Sequence, residues 1–151
     1  MPYEKSSEQS TTGTILRDPQ NPCGVTSVCV ISHLLGSPKT LEQIRGQIIP
    51  DPLGRNSLAE VRDALESFGF ETLALKMRWG DLPRSGPPMI LHLAGDHFVV
   101  GAGFAGDNLV IVDPPYAPQL RSQTELSSWT GITLLIARDR RELEGLQEMF
   151  R

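Results

Sequence analysis

The stretch HFVVGAGFAGDNLVIVD, residues 97–113, contains two short apolar runs separated by a small, partly polar link. Runs of this length, rich in valine and isoleucine, are typical of β-strands. The link, residues 105–107, is too short for a parallel crossover, which takes about a dozen residues or more. The stretch therefore predicts an antiparallel hairpin, and the equally short link before His97 predicts a second one.

The rest of the chain divides into helical and strand-like segments around this hairpin. Further strand-like runs occupy residues 71–77, 88–93 and 131–137. Before residue 70 the apolar spacing is helical: one helix runs from Cys23 to Leu35 and is stopped by Gly36, and capping boxes at residues 40–43 and 57–60 predict two more. Residues 139–150 predict a last helix. The fold class is α+β, with helices packed on an antiparallel sheet.

The composition indicates one globular domain. The chain has 151 residues and a net charge of -4 with no basic cluster, so we expect no nucleic-acid partner. Residues 1–14 predict a flexible lead-in, which leaves residues 15–151 as a single domain. Because no apolar run reaches the roughly 20 residues of a membrane span and no signal peptide is evident, we expect a cytoplasmic protein or a soluble piece of a larger one.

Both cysteines lie in the first predicted helix. Cys23 and Cys29 would stand about 9 Å apart along the axis, farther than the roughly 7 Å that a disulfide allows, so both are predicted to be free thiols. Asn21 suits the N-cap and Pro22 the first helical position. Cys23 then falls in the first turn, where free amides and the helix dipole stabilise a thiolate.

A base for this thiol is expected on the hairpin. A turn centred near Gly106 places Asp113 opposite residues 97–100, one strand away from the imidazole of His97. Asp96 is the poorer partner for His97, because adjacent residues of a strand point to opposite faces.

The other histidines are predicted to be structural. His33 lies roughly 15 Å beyond Cys23 on the same helix and cannot reach its sulfur. Cys29 and His33 have the spacing of two metal ligands, but the chain offers no further cysteine for a tetrahedral site, so we expect no metal. His92 lies on a different strand with no acidic residue nearby in sequence, and we expect it to be a packing or substrate-wall residue.

A Cys at a helix start, a His on a later strand and an Asp at the end of the next strand match the nucleophile, base and orienting group of covalent acyl transfer, so Cys23, His97 and Asp113 are the candidates. The residues alone leave a second interpretation open, in which His97 and Asp113 only satisfy each other near a strand end. Four motifs in order over residues 15–137 add a resemblance: CGVTSVCVISHLLG, GRNSLAEVRDALESFGF, PMILHLAGDHFVV and IVDPP. Together they resemble the bacteriocin-processing peptidases, cysteine peptidase family thirty-nine, papain-like domains that often form the N-terminus of ABC exporters.

This resemblance implies a cysteine endopeptidase that cleaves leader peptides after a double glycine, with Cys23 attacking, His97 as base and acid, and Asp113 orienting His97. It implies a leader peptide and an ABC transporter membrane domain as partners, a position at the inner face of the membrane through the exporter, and no cofactor. The family usually carries a Gln six residues before the Cys as oxyanion donor. That place is Arg17 here, and Gln20 is the candidate replacement.

Two other functions stay open. A degenerate member of the family would bind an export substrate or leader without cleaving it, which the loss of the Gln at Arg17 favours and the retention of Cys23 opposes. A related thiol enzyme would act on a different peptide or in an amide-transfer reaction.

Overall fold

The computed structural model describes residues 23–48 and 56–150. The described helices are α1 (Cys23–Leu34), α2 (Leu41–Arg45), α3 (Leu58–Ser67) and α4 (Arg140–Met149), with a 3₁₀ turn at Trp79–Asp81. The described strands are β1 (Glu71–Lys76), β2 (Met89–Leu93), β3 (His97–Ala105), β4 (Asn108–Val112), β5 (Gln119–Arg121) and β6 (Trp129–Ala137). Within these residues, no helix is both long and apolar enough to cross a membrane.

The helix boundaries follow local signals. The Thr40 hydroxyl accepts a hydrogen bond from the Gln43 amide at 3.1 Å, and the Gln43 side chain accepts one from the Thr40 amide at 2.9 Å. Ser57 and Glu60 form the same reciprocal pair at the start of α3. Gly36 follows α1 with a φ of 77°, the left-handed conformation that ends helices. The predicted capping boxes and helix stop are confirmed.

The six strands form one antiparallel sheet in the order β1-β6-β2-β3-β4-β5. In the β3–β4 hairpin Val100 pairs with Val112 and Ala105 with Asn108, around a tight turn that begins at Gly106. Gly106 has a φ of 65°, which glycine adopts without strain. Continuing this register by one pair places Asp113 opposite Val99, which is within the range 97–100 that the sequence predicts.

The sequence missed two features of the sheet. β6 begins at Trp129, two residues before the predicted start, and β5 was not predicted at all. β5 is short and lies at an edge, and two of its three residues are exposed, so it carries no apolar alternation that would reveal it.

Buried side chains of the sheet alternate between two cores. The face covered by α1, α2 and α3 contributes Ile90, Phe98, Val100, Leu134 and Ile136. The face covered by α4, the 3₁₀ turn and Leu126 contributes Met89, Leu91, Val99, Leu109, Ile111, Leu135 and Ala137. The sheet is therefore packed on both sides, with the three N-terminal helices on one and the C-terminal helix on the other.

The starts of α1 and α3 meet closely at Gly24. A Cβ atom built on Gly24 would lie 2.4 Å from Asn56 Oδ1 and 2.8 Å from Asn56 Cβ. Asn56 is only 5% exposed, and its carboxamide has no hydrogen-bond partner within the part of the chain that is described. Since no side chain fits at this position, the contact holds the first turn of α1, which begins with Cys23, directly against the cap of α3.

We expect Gly24→Ala to destabilise the protein by about 1–3 kcal/mol, because the added methyl overpacks a buried contact. Gly145→Ala is the matched control: it lies inside α4, where a new Cβ meets nothing within 4 Å. Gly145→Ala should stabilise the protein by about 0.5–1 kcal/mol, because alanine has a higher helix propensity than glycine. Urea unfolding of both variants measures the difference, and equal effects would contradict the proposed contact.

Candidate active site

The candidate site lies where three element ends meet. Cys23 is the first residue of α1, His97 is the first residue of β3, and Asp113 follows the last residue of β4. α1 packs against β3, and β3 pairs with β4, so the fold brings these three predicted residues to one end of the sheet.

The His97 ring is hydrogen-bonded to Asp113 and interacts with Cys23. Its Nε2 atom lies 3.2 Å from each carboxylate oxygen of Asp113, and because a carboxylate only accepts, Nε2 donates. The Cys23 thiol also interacts with the ring and, after Asp113, is the second group that raises the pKa of His97.

These partners change the charge of the imidazole. The hydrogen bond to Asp113, and after it the one to Cys23, raise the pKa of His97 to about 10, although burial of the ring acts in the opposite direction. At neutral pH the ring is therefore protonated between a carboxylate and a thiol. This is the arrangement that stabilises a thiolate–imidazolium pair.

The surroundings of Cys23 are partly open. The side chain is half-buried, and its Sγ atom donates toward the backbone carbonyl of Asp96 at 3.8 Å. The Thr26 hydroxyl donates to the Cys23 carbonyl at 3.1 Å, within the first turn of α1. The thiol thus has the Asp96 carbonyl as its hydrogen-bond acceptor, interacts with the His97 ring and is only partly buried.

Cys29 and His33 lie away from this site, as predicted. His33 is exposed and its Nδ1 atom lies 2.8 Å from the Cys29 carbonyl oxygen, within α1. The Cys29 thiol lies 3.6 Å from the Lys39 carbonyl, and burial raises its pKa. Both cysteines are free thiols. Over residues 23–48 and 56–150, no group of three or more His, Cys, Asp or Glu side chains is placed to hold a metal ion.

The prediction that His92 has no acidic neighbour is wrong. Its Nε2 atom lies 3.3 Å from Asp96 Oδ1, and its Nδ1 atom lies 3.0 Å from Thr130 Oγ1. Asp96 has a φ of 58°, and this left-handed turn conformation accompanies a carboxylate that reaches back to β2. The prediction that Asp113, and not Asp96, partners His97 is consistent with this geometry.

A cavity of about 350 Å³ adjoins Asp113 on the side of β5. Apolar side chains of the second core line one part of it: Leu93, Val99, Ile111 and Leu126. Gln119, Arg121 and Glu125 line the other part. Sequence reasoning missed this cavity because it is built around β5, the strand without a sequence signal.

Residues 12–141 match the peptidase C39 family. This chain belongs to the peptidase C39 family. Its family identifies the chain as a peptidase, and the predicted membership of this family is confirmed. No curated protein sequence matches the chain.

Solved structures place the fold among peptidase domains of transporters. One similar structure is a double glycine motif protease from an AMS/PCAT transporter in complex with its leader peptide: 26% identity, TM-score 0.71, covering 85% of this chain and 93% of that one. The peptidase domain of Streptococcus ComA, a bi-functional ABC transporter of a quorum sensing pathway, has 23% identity and a TM-score of 0.69, covering 80% and 93%. The C39-like domain of a Vibrio parahaemolyticus toxin secretion ATP-binding protein has 17% identity and a TM-score of 0.60, covering 77% and 96%. The predicted α+β fold of this peptidase class is confirmed.

Four residues of the sequence prediction lie outside the described part of the chain. They are Arg17, Gln20, Asn21 and Pro22. The capping of α1 by Asn21 and Pro22, and the choice of Gln20 as oxyanion donor, stay predictions.

We expect Asp113→Asn to lower the pKa of His97 from about 10 toward its ordinary value of 6.5, because the carboxylate is the largest cause of the increase. The protonated pair stabilises the fold fully below about pH 6.5, and this contribution is lost as the pH rises through about 10. The variant should therefore flatten the pH dependence of stability between these values.

NMR titration of the imidazole carbons measures the midpoint for His97 directly. Asp96→Asn is the matched control, since Asp96 adjoins His97 in the chain but bonds to His92. A midpoint that stays unchanged in Asp113→Asn would refute the assigned cause.

We also expect Cys23 to react with iodoacetamide about tenfold faster than Cys29, or more, near pH 6. Cys23 interacts with the protonated ring of His97, the setting in which reactive cysteines occur, whereas burial raises the pKa of Cys29. Mass spectrometry of the labelled peptides gives both rates in one sample. His97→Ala should slow only Cys23, and equal slow labelling of the two thiols in the unmodified protein would count against an activated nucleophile.

Proposed function

We propose that this chain is a cysteine endopeptidase that cleaves leader peptides after a double glycine, with Cys23 as nucleophile. The observation that carries the proposal is the His97 ring, which is hydrogen-bonded to the Asp113 carboxylate and whose pKa is raised by Asp113 and by the Cys23 thiol at the start of α1. Nucleophile, acid–base group and orienting group are then in contact, as covalent acyl transfer requires.

In the acylation step, the Cys23 thiolate attacks the carbonyl carbon of the second glycine. The C–N bond breaks as the tetrahedral intermediate collapses, and the imidazolium of His97 gives its proton to the leaving amine. The raised pKa of His97 suits this step, because the ring holds a proton at neutral pH until the amine departs. The product is a thioester on Cys23 and a free cargo N-terminus.

In the deacylation step, the now neutral His97 takes a proton from water, which attacks the thioester and releases the leader. Asp113 holds the ring in one orientation through both steps, since Nε2 stays bonded to its carboxylate. The backbone amide of Cys23 is suited to donate to the oxyanion, and Gln20 is the proposed second donor.

The assignment of substrate and partners rests on the family and on the similar structures. The AMS/PCAT protease is in complex with a leader peptide, which supports a double-glycine leader as the substrate here. The ComA peptidase domain belongs to an ABC transporter, which supports an exporter membrane domain as partner, in this chain or another. Such a partner would hold the peptidase on the cytoplasmic side of a membrane.

A second candidate function is a module that binds a leader without cleaving it. Arg17 favours it, because this residue stands where the family usually has the Gln that donates to the oxyanion. Loss of one such donor typically costs about 10²–10³ in rate. The intact set of Cys23, His97 and Asp113 favours the peptidase.

The test is cleavage of a panel of synthetic peptides, each a leader ending in Gly-Gly followed by a short cargo sequence. We expect cleavage after the second glycine, detected by mass spectrometry, and a loss of about a thousandfold or more in Cys23→Ala and His97→Ala. Cys29→Ala is the matched control and should retain activity.

The outcomes separate the candidates. Binding of the peptides by fluorescence anisotropy without cleavage would favour the binding module. Thiol-dependent reaction with other acyl donors only would refute the leader substrate while keeping the nucleophile.

A further inference from the structure

We propose that His92 and Asp96 are positioning residues for the thiol–imidazole pair, acting through the turn that joins β2 to β3. This proposal rests on the proposed function, because it concerns how the same nucleophile and base are held. In this proposal neither residue exchanges a proton with the substrate. Their role is to fix the backbone that contacts Cys23 and continues into His97.

The turn is anchored to the sheet through His92. The Asp96 carboxylate can only accept, so His92 Nε2 donates to it across 3.3 Å, and His92 Nδ1 shares a hydrogen bond of 3.0 Å with the Thr130 hydroxyl. Thr130 Oγ1 also lies 3.0 Å from the His92 carbonyl oxygen and accepts from the Ile132 amide at 3.3 Å. The imidazole thus links β6, on one side of β2, to the turn at its end.

Packing fixes the plane of this ring. The centroids of His92 and Phe98 lie 5.3 Å apart, and Phe98 is only 2% exposed. The His92 side chain is itself 19% exposed, so it is largely withdrawn from solvent. The His92 ring is hydrogen-bonded at both nitrogens and packed on one face, so it has little freedom to move away from the Asp96 carboxylate.

The same turn also contacts the nucleophile, Cys23. The backbone carbonyl of Asp96 is the acceptor 3.8 Å from Cys23 Sγ, and the next residue in the chain is His97. Asp96 therefore contacts the Cys23 sulfur with its backbone carbonyl and His92 with its side chain. Its peptide bond joins it directly to His97. A displacement of this turn moves the acceptor and the imidazole together, and misplacement of a reacting group by about 1 Å can cost a hundredfold in rate.

The conformation of Asp96 allows a clean separation of side chain from backbone. Its φ of 58° lies in the left-handed region, which glycine adopts freely and asparagine tolerates best among the other residues. Asp96→Gly therefore keeps the turn and removes only the acceptor for His92. Asp96→Asn keeps both the turn and an acceptor oxygen.

We expect Asp96→Gly to lower kcat for leader cleavage about tenfold with KM within about twofold, and to slow iodoacetamide labelling of Cys23 by a similar factor. Asp96→Asn should stay within about twofold of the unmodified protein in both measurements. Thermal unfolding midpoints of the two variants should match, since glycine relieves rather than creates strain at this position. His33→Gln, an exposed histidine outside the site, is the control for labelling.

A second pair of variants tests the other end of the anchor. Thr130→Val removes the hydroxyl that bonds His92 and should reproduce the loss, whereas Thr130→Ser should restore the rate. Asp96→Gly with the labelling rate and kcat of the unmodified protein would overturn the proposal, and so would equal losses in Asp96→Gly and Asp96→Asn. The labelling experiment needs no substrate, so a protein that cleaves no leader would refute the proposed function and still answer this question.

Discussion

The pairing of Val100 with Val112 sets where the imidazole of His97 meets its carboxylate. Because side chains alternate along a strand, a slip of one residue in the β3–β4 hairpin would turn Asp113 to the opposite face. Such a slip is unfavourable because both faces of the sheet are buried. Val99 and Val100 belong to different cores, and each would have to move into the core that the other now occupies. The geometry of the site is thus held by the hydrophobic core, through the register of one hairpin.

A different contact places the nucleophile, Cys23, beside this hairpin. α1 lies across the sheet with its first turn at the end where β3 begins, and the contact between Gly24 and Asn56 fixes that turn against the cap of α3. The end of a helix therefore meets the ends of two strands. The sulfur therefore lies at a helix start and beside an imidazolium held by a carboxylate, and both are settings in which reactive cysteines occur.

The features predicted from sequence are those set by neighbours in the chain. The capping boxes of Thr40 and Ser57, the stop at Gly36 and the β3–β4 register all follow from a few consecutive residues. Once that register was known, the closeness of His97 and Asp113 followed from strand spacing. The pairing of His92 with Asp96 was missed because it depends on a left-handed turn residue. The Gly24–Asn56 contact was missed because it joins segments about thirty residues apart, and sequence periodicity does not report contacts at that separation. The cavity beside Asp113 was missed with β5, whose three residues give no pattern.

The sheet is covered on both faces, and this bears on how such a domain diverges. The interiors of β2, β3, β4 and β6 supply buried residues to one core or the other, so a change there must be accommodated by repacking. Turns, strand ends and the short edge strand carry no such commitment. Under the proposed function, substitutions in the rim around Asp113, at residues such as Gln119 and Glu125, can change which peptide is bound without disturbing the hairpin that aligns His97 and Asp113.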